Sequence, residues 1–188
     1  RSGNSVMSHP LAGTAPKFHD TDSDQTSRQK LLDSTKDAYE HKVTIEWLLN
    51  ELLPFCSYVD ADPEPKIVSL EHVHHLGTEV AGQLSSPPCS ILELVNALHP
   101  TPAVGGDPQT EALTIIKRVE GIDRRRYAGP VGWLAADGDG EFAVGIRSAE
   151  VKANTARLFA GVGLVEDSDP QSELEETEAK FKTMLNTF

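Results

Sequence analysis

The stretch from residue 130 to residue 165 constrains the fold more than any other part of the chain. Two apolar-rich runs, 130–136 and 141–149, flank Asp137-Gly138-Asp139-Gly140, a strong hairpin turn. A third run, 155–165, follows a turn at Ala153-Asn154. Together they predict an antiparallel meander. On the second run Ala143, Gly145 and Arg147 alternate with Phe142, Val144 and Ile146, and on the third Gly161 and Gly163 share one face.

Helices are predicted around it. Over residues 34–53, Ser34 and Asp37 have the spacing of a capping box. Ile45, Leu48, Leu49 and Leu52 then recur at i, i+3, i+4 and i+7, and Pro54 stops the run. Shorter helices are predicted at 90–98 and 110–119, and a last one at 172–186. Residues 5–10 read as a strand and 66–84 as extended chain interrupted at Gly77, with a connector at 60–65. Residues 15–29 are polar with no apolar period and read as a loop.

Lys and Arg number 17 against 29 Asp and Glu, a net charge of −12 that argues against nucleic-acid binding. No apolar run approaches the ~20 residues a membrane span needs, and no secretion signal opens the chain. Two cysteines, Cys56 and Cys89, make no disulfide scaffold, so a reducing, cytoplasmic setting is expected.

Three groups of residues carry chemistry. Asp37 and Glu40 lie three apart at a helix start, and Glu173, Glu176 and Lys180 fan over about 60° of the last helix, beside a stripe of Leu174, Phe181 and Leu185 expected to be buried. Oxygen donors of this kind suit a hard cation. Seven of the thirteen residues from 166 to 178 are acidic, so the pattern alone leaves metal binding and plain solvation both open. Arg147 beside tiny residues, with bare backbone at Gly161 and Gly163, suits a carboxylate, and relief of crowding explains the glycines equally well. His72, His74 and His75 lack the partners that zinc requires, and a histidine in such a place is ordinarily just hydrogen-bonded.

Several segments, in order, carry a resemblance: Pro10-Leu11-Ala12-Gly13-Thr14, Lys36-Asp37-Ala38-Tyr39-Glu40-His41, His75-Leu76, Pro100-Thr101-Pro102-Ala103, Tyr127-Ala128-Gly129-Pro130-Val131-Gly132-Trp133, Ile146-Arg147-Ser148-Ala149, Ala160-Gly161-Val162-Gly163-Leu164, and Glu173-Leu174-Glu175-Glu176 with Lys180. In these the chain resembles the C-terminal half of isochorismate synthases, among the chorismate-utilising enzymes that include anthranilate and salicylate synthases.

The resemblance implies an α+β fold of stacked, mostly antiparallel sheets flanked by helices. Residues 1–188 would form the C-terminal portion of a single chorismate-binding domain, with the N-terminal half of the same enzyme as partner. It implies Mg²⁺ held by Glu40 and Glu176, with Asp37 and Glu173 completing the shell. The metal and Gly13, Thr14 and Lys180 would take the ring carboxylate of chorismate. Tyr127, Arg147 and the backbone at Gly161 and Gly163 would take the enolpyruvyl carboxylate, with His75 near the departing 4-hydroxyl. The reaction would be water addition at C2 with loss of the C4 hydroxyl, its product serving siderophore, menaquinone or salicylate synthesis. The general base Lys and general acid Glu are expected upstream, so this chain alone is expected to be inactive. Ala103 favours isochorismate synthase, since related lyases and ammonia users usually carry Thr there; Tyr127 keeps salicylate synthase as an alternative, and a non-catalytic binding module is the other. Without the other half, the chain is expected to be poorly soluble or to associate tightly with it.

Overall fold

The computed structural model describes residues 1–187, with every side chain except that of Thr183. Its elements run β1 (Ser5–Ser8), β2 (Leu11–Pro16), α1 (Thr21–Asp33), α2 (Thr35–Leu52), β3 (Cys56–Ala61), β4 (Lys66–Ser69), β5 (Val73–Gly77), β6 (Val80–Leu84), α3 (Ile91–Leu98), α4 (Pro102–Gly105), α5 (Gln109–Val119), β7 (Pro130–Leu134), β8 (Gly140–Val144), β9 (Ser148–Lys152), β10 (Thr155–Phe159) and α6 (Pro170–Leu185). The chain divides into two units. One comprises Arg1–Thr101 with Trp133–Glu141; the other comprises Pro102–Gly132 and the chain from Phe142 onward.

The first unit holds two three-stranded antiparallel sheets, ordered β1-β6-β3 and β2-β5-β4. Two short links, His9-Pro10 and Thr78-Glu79, carry the chain from one sheet to the other. Helix α2 starts where its cap predicts: the Ser34 hydroxyl accepts the Asp37 N–H. His41, Thr44, Leu48 and Leu52 are its buried residues, spaced by three and four, so the buried face includes two polar side chains. This helix packs on β2, β3 and α3. A capping box of Ser90 and Glu93 opens α3, which buries Ile91 and Leu94.

Residues 15–29 do not form the expected loop. Strand β2 continues to Pro16, and α1 begins at Thr21. Its capping signal is polar: the Asp20 carboxylate accepts the Ser23 N–H (2.8 Å), Asp22 and Asp24 lie in the first turn, and Lys30 lies in the last. Three anchors hold it. Leu31 is buried with Ala15 and Leu76, Ser27 donates its hydroxyl proton to Pro16 O (2.6 Å), and Asp24 Oδ1 lies 2.8 Å from His74 Nε2. Strand β3 likewise reaches Ala61, inside the segment expected as a connector.

The meander is also different. Strands β7 and β8 form one two-stranded hairpin and β9 and β10 another. The run expected as one strand over 141–149 breaks after Val144: Ile146 N donates to Val144 O (2.9 Å) in a three-residue turn, and Arg147 has φ +47°, which no strand accommodates. Arg147 therefore lies between strands. Gly161 and Gly163 lie beyond β10, outside any strand. The tip of the β7–β8 hairpin is fixed within the first unit. Arg1 Nη1 contacts Asp139 Oδ1 (2.6 Å), Gly3 N donates to the same carboxylate (2.9 Å), and Ile91 N donates to Gly138 O (3.0 Å).

In the second unit α6 is capped by Asp169 and started by Pro170, and it rests on β10. Its expected apolar stripe is not buried: Leu174 and Leu185 are exposed, and Glu173 is buried instead. Phe181, the third residue of that stripe, is half-buried. His72 is exposed and precedes β5, so it does not share a strand with His74. No helix among the described residues is long and apolar enough to cross a membrane.

Burial is unequal. Val6, Leu48, Leu52, Leu76, Val80, Leu84 and Leu94 belong to the first unit, whereas Ala128 and Phe159 are the only fully buried apolar side chains of the second among the described residues. Strand β7 exposes Val131, Trp133 and Leu134, and α5 exposes Leu113, Ile115 and Val119. A region that buries so little opens at low free-energy cost. Native-state hydrogen exchange is expected to be slower by about 10-fold or more at the amides of β5 and β6 than at those of β9 and β10. Equal protection would contradict this account.

Candidate functional site

In the first unit, β2 pairs with β5 so that Thr14 faces His75, with an irregularity between Ala12 and Thr14. Gly13 occupies it with φ +70°, and a Cβ there would lie 2.9 Å from Asp37 Oδ1. The bulge thus presses the backbone of β2 against the start of α2. The His75 ring is buried, with Nδ1 2.9 Å from Gly13 O and 3.2 Å from Thr14 Oγ1. A carbonyl only accepts, so Nδ1 carries a proton and donates to it. The Asp37 carboxylate accepts the Ser34 hydroxyl proton in a short hydrogen bond. Glu40 follows one turn later, with Lys36 Nζ 3.9 Å from its Oε1. Gly13, Thr14, His75 and Asp37 therefore form one contiguous cluster, with Glu40 beside it on α2.

In the second unit the loop that carries Tyr127 is stitched to the break after β8. Ala128 N donates to Gly145 O (2.9 Å), and Gly145 N donates to Gly129 O (2.8 Å). Tyr127 stacks on Phe159, with ring centroids 5.3 Å apart. A Cβ on Gly161 would lie 2.8 Å from the Tyr127 hydroxyl, so glycine is what lets the phenol approach that backbone. Lys180 Nζ donates to Gly161 O (3.2 Å) and pairs with Glu176 (2.7 Å). Burial pushes the Tyr127 phenol above its usual range; Arg124 opposes that shift and Glu120 adds to it. At neutral pH the hydroxyl is a donor.

Ala103 is an exposed residue of α4, and the next carbonyl, Val104 O, accepts from Arg124. Arg147 is half-buried two residues after Gly145. A Cβ on Gly163 would meet nothing within 4 Å, so crowding does not account for that glycine. Helix α2 carries Asp37 and Glu40 at i, i+3, and α6 carries two such pairs, Glu173 with Glu176 and Glu175 with Glu178. No three potential ligands gather in one cluster among the described residues. A carboxylate pair still fits Mg²⁺, which keeps several waters and takes one or two carboxylates.

Sequence reasoning missed three groups. Asp24, His74 and Ser69 form a chain, with Ser69 Oγ 2.9 Å from His74 Nδ1, and its sequence gives no sign of it. His41 Nε2 lies 2.7 Å from Thr78 Oγ1, and burial lowers the pKa of that ring, with His9 adding to the effect. Arg124 pairs with Glu120, and their i, i+4 spacing was a legible signal.

A family model described as "Chorismate binding enzyme" matches residues 1–188. The chain is 44% identical over 185 residues to isochorismate synthase DhbC of Bacillus subtilis, covering 98% of this chain and 46% of that protein. It is 41% identical over 186 residues to isochorismate synthase MenF of the same organism, covering 99% of this chain and 39% of that one. A crystal structure of a 2,3-dihydroxybenzoate-specific isochorismate synthase from Bacillus anthracis, itself described as putative, superimposes with a TM-score of 0.96 at 46% identity, over 99% of this chain and 50% of that one. The chain thus spans about half the length of the curated relatives it matches.

Two outcomes follow from the geometry. Gly13→Ala combines a left-handed φ with a clash against Asp37 and is expected to cost about 1–3 kcal/mol, read as a lowered urea midpoint at unchanged slope. A raised phenol pKa contributes stability that is complete below the ordinary tyrosine value and fades as pH climbs through the folded one. Tyr127→Phe should therefore remove, from the ultraviolet titration, a phenolate step lying above about pH 10. Loss of a step below that pH would contradict the assignment.

Proposed function

The chain belongs to the chorismate-binding enzyme family, and from that membership we propose that it supplies a large part of the chorismate site of an isochorismate synthase. The observation that carries this reading is the sorting of the proposed ligand-facing groups into two contact clusters. His75 lies on Gly13 and Thr14 in one, and Tyr127 and Lys180 lie at Gly161 in the other. The first offers the Thr14 hydroxyl and the second the Tyr127 hydroxyl and the Lys180 ammonium, donors of the kind a carboxylate takes.

In this reading the ring carboxylate is received by Gly13, Thr14 and Lys180, and the enolpyruvyl carboxylate by the Tyr127 hydroxyl, Arg147 and the backbone at Gly161 and Gly163. His75, fixed through Nδ1, holds its ring toward the departing 4-hydroxyl. Glu40 and Glu176, supported by Asp37 and Glu173, would hold Mg²⁺, which when bound offsets substrate charge and orients the ring carboxylate. Lys36 and Lys180 lie against the same carboxylates. The hydroxyl moves from C4 to C2: water adds at C2 and the C4 hydroxyl leaves, so one proton must be taken from water and one given to the leaving group. These residues bind and orient; the proton-transferring pair belongs to the remaining half of the relatives' length. The apolar side chains of β7 would meet that half. Ala103 favours the isomerase over a lyase, and Tyr127 is the one residue that favours salicylate formation.

The complete gene product, given chorismate and Mg²⁺, is expected to form isochorismate by chromatography; no product would end this reading. Pyruvate above background would favour the lyase instead. Glu176→Gln should raise the Mg²⁺ concentration needed for half-maximal activity on the order of 10–100-fold.

A further inference from the structure

Arg124 has no part in the site proposed above, yet it ties together the segments of Ala103 and Tyr127 and the end of α5. Its Nε and Nη2 donate to the two Glu120 carboxylate oxygens (2.8 and 2.5 Å), and Nη1 donates to Val104 O (2.7 Å). Its Cζ lies 5.8 Å from the centroid of the Tyr127 ring. Its own carbonyl accepts the Tyr127 N–H (2.8 Å), so the same residue forms the turn that presents the ring. Glu120 follows the last turn of α5, Val104 is the neighbour of Ala103 on α4, and the side chain is one-quarter exposed.

Only a planar guanidinium makes these contacts together. The fork meets a carboxylate with two parallel bonds, a third nitrogen reaches the carbonyl, and the flat cation lies against an aromatic face. A lysine in the same place is a point charge with one nitrogen. The second unit buries little apolar surface, so directional contacts of this kind carry more of its geometry than packing does.

We propose that Arg124 is a positioning residue for chorismate, fixing the Ala103–Val104 segment and the Tyr127 ring in one register. This rests on the function proposed above. Arg124 acts through Tyr127 and Val104 and not on the substrate, so its loss weakens substrate binding more than turnover.

The test uses the complete gene product as wild type, Arg124→Gln, Arg124→Lys and Glu120→Gln. Each is labelled with 3-fluorotyrosine, and the Tyr127 resonance is assigned with Tyr127→Phe. Arg124→Gln and Arg124→Lys are expected to shift and broaden that resonance and to raise KM for chorismate by about 10-fold, with kcat within about threefold. Glu120→Gln, which leaves the Val104 and ring contacts in place, should change both much less. Arg124→Lys keeps the charge, so it remains informative if Arg124→Gln fails to fold. A Tyr127 resonance and KM unchanged in Arg124→Lys would overturn the proposal, because a point charge would then suffice. An effect of Glu120→Gln as large as that of Arg124→Gln would overturn it too, reducing Arg124 to a helix-end ion pair. If the wild type converts no chorismate, the functional reading fails by itself, and the fluorine resonance alone decides the role of Arg124.

Discussion

The unequal distribution of buried apolar surface is the constraint on which the rest depends. The first unit packs α1 and α2 against its sheets and α3 against α2, burying Leu31, Leu48, Leu52, Leu76 and Leu94, and its site residues inherit that rigidity. His75 is itself buried on β5, with Nδ1 fixed on Gly13 O, so its ring has little freedom. Among the described residues the second unit has no comparable core. Its site residues are held by the exchange of hydrogen bonds among Ala128, Gly129 and Gly145, by Lys180 on Gly161 O, and by Arg124. Each such bond contributes about 0.5–1.5 kcal/mol net, so the arrangement is specified in direction but shallow in energy. The exposed apolar side chains of β7 and α5 fit a chain about half as long as the relatives it matches.

Charge sets the second constraint. A chain of net charge −12 repels a dianion at long range, so binding in the proposed site must rest on local donors. The second unit concentrates them: the Tyr127 phenol is kept protonated, and Lys180 is held between a carbonyl and Glu176. An ammonium that already neutralises a carboxylate attracts an incoming one weakly.

Helix α2 was legible because its signals are local: Ser34 caps it and apolar residues recur every three or four positions. Helix α1 was not, because its hold on the fold comes from Asp24 and His74, 50 residues apart in sequence, and no periodicity encodes such a partner. The hairpin turn at Asp137–Gly140 was readable from its residues, whereas the break at Arg147 hides inside a run that alternates like a strand. Site residues were legible in a different way. Pattern alone left the carboxylates of α2 and α6 open between metal ligands and surface acids, and Gly161 open between carboxylate binding and relief of crowding. The ordered resemblance is what joined them, and the contact of His75 with Gly13 needed a register and a bulge that only the folded chain supplies.

The three glycines of the site show why such positions need separate accounts. Gly13 is demanded by the protein itself, since its φ is left-handed and a Cβ would meet Asp37. Gly161 is demanded by the Tyr127 hydroxyl. At Gly163 the described atoms make no demand, because a Cβ would stand in open space. Gly inside an otherwise ordinary segment commonly marks the close approach of a ligand or another backbone. The first two glycines therefore keep protein groups together, and the third is left uncovered by the described atoms around it. In the proposed site the group that approaches it is the enolpyruvyl carboxylate, which needs the Gly163 N–H uncovered and gains nothing from a methyl group in its place.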